Sequence, residues 1–548
     1  MTLNVEKISG SRLYDYMLDF IKIGWRRPGT KEAHETAKFI LKKFDEFGLE
    51  SKLEPFEMLL YTARQWKLII KHDSLPKKEV EIKCLPAWHS QSSQTEGTEA
   101  KLAYVGWGTP QEFKKVDVKN KIVLIDSKNM MSFYPTMDFH RAYEKARLNG
   151  AVGLISIHDT PPNTIFAEYV TRHQTYKDSN LESGNIPAFR VSYESGEYIK
   201  SLFKFEGEIT AKLFLEADTK TAMTDNLMGV LPGKDPDDII LVGTHIDSWF
   251  DGAIDNAGGN AGFLELADYY SQFKERKKTM IFAGFAGHEV GSIGVIEFAQ
   301  KHSSWFNKIS TFCMIDGFGS KGYVLDSNRK VKGTGLDEAK GLFTTDNQVL
   351  FDIIKDAVEK ELINNGPLMH VSAVIGPYSD LGPLVANNVP SIMVIGKGIF
   401  YHTIEDTADK VLPEHLERTT RAHVQILNEL HKISSKTIRE ADRKGIILPS
   451  KKIKSELKES FVDFDVTPNP PVKGTTTLMH LTSYITNNRI IVDLQWFIDD
   501  KLIIHAPVCP YVFRKPGNYE VKLTLMDHKG NNFSKIKNVQ VNPKDVFS

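Results

Sequence analysis

Apolar and polar positions alternate with three different rhythms along this chain. Between residues 30 and 48 the rhythm is helical: Ala33, Ala37, Ile40, Leu41 and Phe44 fall on one stripe. Thr30 is placed to cap that helix and Gly48 to end it. From 60 to about 220 short apolar runs, Ile122–Ile125 and Val152–Ile155, alternate with polar turns, and a helical stretch from Arg141 to Leu148 precedes Gly150. From Asn226 to about Ile433 the order strand, turn, helix recurs. The runs 239–242, 280–285, 312–315 and 391–395 read as buried strands, and 261–273, 348–362 and 413–432 as helices. Such alternation predicts an α/β fold with a mixed, largely parallel sheet flanked by helices.

After a charged stretch at 436–458, which contains Pro449 and reads as a linker, the period becomes two. Tyr519, Val521, Leu523 and Leu525 alternate with Glu520, Lys522 and Thr524, and Trp496 supplies a large core residue. This is the pattern of a β-sandwich. The expected units are therefore 1–59 with 222–440, an α+β insert over 60–221, a linker over 441–459, and a β-sandwich over 460–548.

A length of 548 residues agrees with several domains. The formal net charge of −1 supplies no global field for nucleic acid or an anionic membrane, so neither is an expected partner. Three widely spaced cysteines give neither a disulfide framework nor metal-ligand spacing. No signal-peptide pattern and no long apolar run is present, so the expected location is the cytoplasm. Composition says nothing about oligomeric state.

The candidate chemistry lies where strands end. His245, Asp316 and His402 each follow a strand-like run closely, and loops at the carboxyl ends of parallel strands form binding sites. With Asp255 and Glu289 they make two imidazoles and three carboxylates, enough for two divalent ions if one carboxylate bridges. Two ions activate water and stabilise a developing oxyanion, as peptide hydrolysis at neutral pH requires. Asp247, two residues after His245, is placed to orient it. Asp255, read as opening a helix, is expected to be held by backbone N–H groups and the helix dipole. The chain has no His-Glu-x-x-His, Gly-x-Ser-x-Gly, phosphate-binding or Cys-x-x-Cys motif.

At these residues the chain resembles the co-catalytic zinc aminopeptidase family, which includes bacterial leucine aminopeptidases, glutamate carboxypeptidases and the non-catalytic transferrin receptor. The matching text is Asn226-Leu-Met-Gly-Val-Leu-Pro-Gly, Val-Gly-Thr-His245-Ile-Asp247-Ser, Asp255-Asn-Ala-Gly-Gly, Glu289-Val-Gly-Ser-Ile-Gly, Ser379-Asp380 and Tyr401-His402-Thr-x-Glu-Asp-Thr. The resemblance implies a zinc-exopeptidase-like fold and two Zn²⁺, or other divalent ions. One would be held by His245 and Asp316, the other by Glu289 and His402, with Asp255 bridging. Tyr401 matches a tyrosine that steadies the reaction intermediate in some members. Residues 60–220 resemble the protease-associated insert. Residues 460–543 resemble the immunoglobulin-like sandwich of polycystic-kidney-disease type.

One position departs from the pattern. Active members usually carry Glu immediately before the ligand Glu289, where this chain has His288. A neutral imidazole accepts a proton at neutral pH. The resemblance therefore implies a zinc-dependent exopeptidase, foremost an aminopeptidase acting on peptides, with His288 as base and Asp247 and Tyr401 beside it. The alternatives are a metal-stabilised peptide-binding protein without catalysis and a related hydrolase or cyclase acting on another amide.

Overall fold

A computed structural model describes residues 5–127, 139–161, 163–170, 186–371, 380–385, 387–441, 461–467, 469–471, 473, 476–485, 491–505, 508–527 and 531–543. The first half of the peptidase-like unit is helical. Thr30 caps the helix Lys31–Phe47 by accepting from the Ala33 amide, and Gly48 ends it at φ 79°, as its pattern predicts. A helix that the sequence reading did not assign, Gly10–Ile23, buries Leu13, Met17 and Phe20 against the same core.

Two strands of 22 residues each, Glu50–Lys71 and Thr210–Leu231, pair antiparallel along their length. The expected boundaries, 59/60 and 221/222, fall on the Leu59–Thr221 rung of this ribbon. The ribbon is exposed over residues 64–67 and 218–221. Separate apolar clusters lie on either side of that waist. One continuous sheet thus carries two cores.

On the peptidase side the central strands are Ser391–Ile395, Ile309–Asp316, Asp235–His245 and Lys278–Phe285, in that spatial order and mutually parallel. Their side chains are buried on both faces over most of their length, which accounts for unbroken apolar runs in place of alternation. Antiparallel strands flank them: Lys340–Thr345 on one side and Thr210–Leu231 on the other. Helices Gly259–Ser271 and Pro413–Lys432 cover one face, and Ile293–Lys301 the other. In the insert, strands Thr98–Tyr104, Ile122–Ser127, Gly153–His158 and Ala188–Val191 are parallel neighbours, accompanied by helices Phe139–Leu148 and Tyr193–Leu202.

The C-terminal unit has two antiparallel sheets, of three and four strands, around Trp496, which is fully buried against Phe464. The stretch expected as a linker begins differently. Ser435–Ala441 is a helix, anchored by buried Ile438 and by Asn347, whose side chain donates 2.7 Å to the Ile438 carbonyl. The remainder of the linker, 442–459, lies outside the described residues. Among the described residues no helix is long and apolar enough to cross a membrane.

Candidate metal centre

The parallel strands converge on one edge of the sheet. His245 and Asp316 are the last residues of two hydrogen-bonded neighbours, so both emerge at that edge. Gly317 follows Asp316 at φ 67°, and a Cβ there would meet the Gly396 carbonyl at 2.3 Å. Only glycine turns the chain so tightly behind the carboxylate. Glu289 stands four residues beyond the strand Lys278–Phe285. The carboxylate of Asp247 accepts from the amides of His288 (3.1 Å) and Glu289 (2.9 Å), which fixes this turn.

Asp255 differs from its expected setting. It lies in a wide turn, Ala253–Gly258, with non-helical φ −118° and ψ 81°, and the α-helix starts only at Gly259. Its carboxylate therefore turns away from the helix N–H groups and toward the two histidines. Asp406 holds the turn instead, accepting from the amides of Ile254 (2.8 Å) and Asp255 (3.1 Å). Burial pushes the Asp406 carboxyl up to about 7. Arg26, itself fully buried, donates to the Gly252 carbonyl of the same turn.

All five expected ligands meet. His245 Nε2 lies 3.1 Å from Asp255 Oδ1 and 3.4 Å from Asp316 Oδ1. His402 Nε2 lies 2.9 Å from Glu289 Oε2 and 3.3 Å from Asp255 Oδ2. Asp255 thus faces both imidazoles, one through each oxygen. Donor atoms of His245, Asp255 and Glu289 fall within 4.8 Å of one another, as do those of His245, His288 and Asp316. Asp255 Oδ2, Glu289 Oε1, both Asp316 carboxylate oxygens and His402 Nε2 are buried without a hydrogen-bond partner among the described residues. Such orphaned groups are costly unless something else engages them. Donors around a tetrahedral ion bound at about 2.0–2.1 Å stand roughly 3.3 Å apart. The side-chain types, separations and orphaned atoms together fit divalent ions.

Charge coupling agrees. Burial disfavours the charged form of His402, but Glu289 and Asp255 outweigh it and carry the imidazole up to about 9. Burial likewise opposes charge on His245, yet Asp247, Asp255 and Asp316 hold it well above its usual range. Burial raises Glu289 above the ordinary carboxylate range. Metal ligation requires neutral imidazoles, so ion binding and proton release at His245 and His402 would be linked.

The remaining predicted residues surround this cluster. His288 stacks on His245, with ring centroids 4.1 Å apart, and its Nδ1 lies 3.0 Å from Asp380 Oδ1. Asp247 Oδ1 is 3.6 Å from His245 Nδ1, too long for a hydrogen bond. Its main contacts are the two turn amides instead. The Tyr401 ring packs beside His402 and edge-on against Phe166 of the insert. The insert also binds His402 directly: Nδ1 donates 3.1 Å to the Ala167 carbonyl. That contact leaves Nε2 directed at the carboxylates. A narrow cleft lined by Trp25, Tyr61, Trp88 and Trp249 lies beside Glu289.

Sequence reasoning missed the roles of three residues. Asp380 and Asp406 were visible only as letters within motifs, because their partners are distant in sequence. Lys397 was hidden in an apparent glycine turn, Gly396–Gly398. Its ammonium lies 3.5 Å from both Asp255 and Asp316.

Comparison with known proteins agrees with this architecture. Residues 226–427 match Peptidase family M28, and residues 90–199 match the PA domain. Aminopeptidase NAALADL1 of Mus musculus is 26% identical over 136 residues, 23% of this chain and 18% of that protein. Aminopeptidase Y of Saccharomyces cerevisiae is 25% identical over 208 residues, 36% of this chain and 37% of that protein. The chain therefore spans well under half the length of these curated relatives. A zinc aminopeptidase from Bacillus subtilis superposes with a TM-score of 0.58 at 20% identity, over 81% of this chain and 100% of that one. That likeness is one of fold. Residues 226–427 thus resemble Peptidase family M28 and residues 90–199 the PA domain, and the sheet and its insert have a fold that agrees with both matches.

Proposed function

We propose that this chain is a zinc-dependent exopeptidase, foremost an aminopeptidase, that hydrolyses peptide bonds with two divalent ions. The observation that carries the reading is the convergence of buried donor atoms on His245, His402, Asp255, Glu289 and Asp316 at ion-binding separations. His245 and Asp316 would hold one ion, Glu289 and His402 the other, and Asp255 both. When bound, such ions acidify water and polarise the scissile carbonyl.

The chain's own residues do the rest. Asp380 fixes the Nδ1 proton of His288, so that Nε2 accepts the proton of the attacking water and later delivers it to the leaving amine. Asp247 holds His288 and Glu289 in register through their amides. Tyr401 borders the reacting centre beside His402. Insert residues Phe166 and Ala167 cover His402 and restrict entry to short peptides or peptide ends.

The test is a panel of aminoacyl anilides and short peptides, assayed with and without added zinc. Metal-dependent release of single residues supports the proposal. A second reading rests on His288, which replaces the carboxylate usual before the ligand Glu: a metal-stabilised protein that binds peptides without cleaving them. Peptide binding with zinc but no turnover favours that reading.

A further inference from the structure

Lys397 enters the acidic cluster from the turn after the strand Ser391–Ile395. Nζ lies 3.5 Å from Asp255 Oδ1 and 3.5 Å from Asp316 Oδ2. The Tyr401 ring lies beneath the ammonium, 4.6 Å from Nζ to the centroid. The base of the turn is fixed, because the Gly396 amide donates 3.2 Å to the carbonyl of Gly317, next to Asp316. The lysine is therefore rooted in the same strand ends that present the candidate ligands.

We propose that Lys397 is a tethered counter-cation that competes with a metal ion for Asp255 and Asp316, so that the two ion pockets fill unequally. This rests on the metal-site reading above. Lys397 forms its ion pairs on the Asp255–Asp316 edge. The Glu289–His402 edge has its own contact at 2.9 Å. An ion between Glu289, His402 and Asp255 can enter with the ammonium in place. An ion between His245 and Asp316 has to displace it.

Local repulsion points the same way. A divalent ion between His245 and Asp316, added with Lys397 still in contact with Asp255 and Asp316, sets two cations against the same pair of almost wholly buried carboxylates. Like charges so close together at such depth repel strongly. The four-carbon stem lets the ammonium swing outward when the second ion arrives. Full loading would then follow the free metal concentration instead of being permanent.

The experiment is calorimetric titration of the chelator-stripped full chain with zinc chloride, with stoichiometry checked by metal analysis after dialysis. Wild type is expected to bind two ions with affinities at least about a hundredfold apart, from loss of a close charge pair and addition of a like charge. In K397M the weaker event should tighten at least about tenfold while the stronger one stays within about twofold. K397R keeps the charge and should keep the split. Circular dichroism confirms folding; should K397M not fold, K397Q is read by the same criteria. Two equal events in wild type, or a weaker event unmoved when the charge is removed, overturns the role of Lys397. Absence of zinc binding in wild type and in the uncharged variants overturns the metal-site reading itself, and the proposal with it.

Discussion

His288 Nδ1 lies 3.0 Å from Oδ1 of Asp380, a carboxylate with no exposed surface. The pair turns a residue that breaks the family pattern into an oriented imidazole. Asp380 is thus a positioning residue. Asp380→Asn is expected to lower kcat about 10- to 100-fold, the usual cost of losing a supporting partner, with KM little changed. The acidic limb of the pH–rate profile should move as well, which simple local damage would not cause. His288→Ala should cost roughly 10² to 10⁴ in rate with zinc content unchanged, because the ligand is Glu289. His288→Glu should retain or raise activity. Wild-type rates for His288→Ala would place the base elsewhere.

The insert is expected to act on the metal centre as well as on access to it. Phe166 is buried between His158, whose ring stacks at 4.0 Å, and His402 at 4.7 Å. Its neighbour Ala167 accepts the Nδ1 bond of His402. Phe166→Ala should destabilise the fold by about 3–5 kcal/mol, the cost of a large buried cavity. It should also weaken zinc binding, because the imidazole loses its packing. Denaturant unfolding with and without zinc measures both effects, and unchanged zinc stabilisation would show that the insert does not position His402.

A pH signature is expected far from the centre. Glu54 on the long ribbon strand contacts Lys52, Lys301 and His302 at 3.0, 3.3 and 2.9 Å, tying the ribbon to the helix Ile293–Lys301 and the residue after it. Burial raises its pKa, but His302 and Lys52 outweigh this and hold the carboxyl down to about 2. A depressed carboxylate contributes stability above its unfolded pKa and loses that contribution as pH falls toward its folded pKa. Glu54→Gln should therefore lower Tm at pH 6. The difference from wild type should shrink as pH falls through about 4 toward 2. A gap independent of pH would mean that packing, and not charge, makes the contact valuable.

The sequence made the architecture legible wherever one rule governs a segment. The helix Pro413–Lys432 matches its predicted range of 413–432, because its apolar period is long and regular. The four parallel strands were visible because burial on both faces makes their apolar runs continuous. The helix Gly10–Ile23 was not assigned, although Ser9 caps it and Leu13, Met17 and Phe20 form its buried stripe. The five candidate ligands were legible because each lies at a strand end or in a glycine-containing turn. Asp255 was expected at the opening of a helix, but the backbone at Asp255 and Asn256 is non-helical, which the letters there do not reveal. Lys397 and Asp380 act across the fold on residues 81 and 92 positions away, Asp316 and His288, and local pattern does not encode such pairings.

The most direct test of the account is single-residue release from an unblocked tripeptide by the purified chain, measured after chelation and again after stoichiometric zinc is restored. The account predicts no release in the stripped protein, recovery with zinc, and no cleavage of the same tripeptide when its amino end is acetylated. Peptide binding without release at any zinc level, by wild type and by His288→Glu alike, would contradict it.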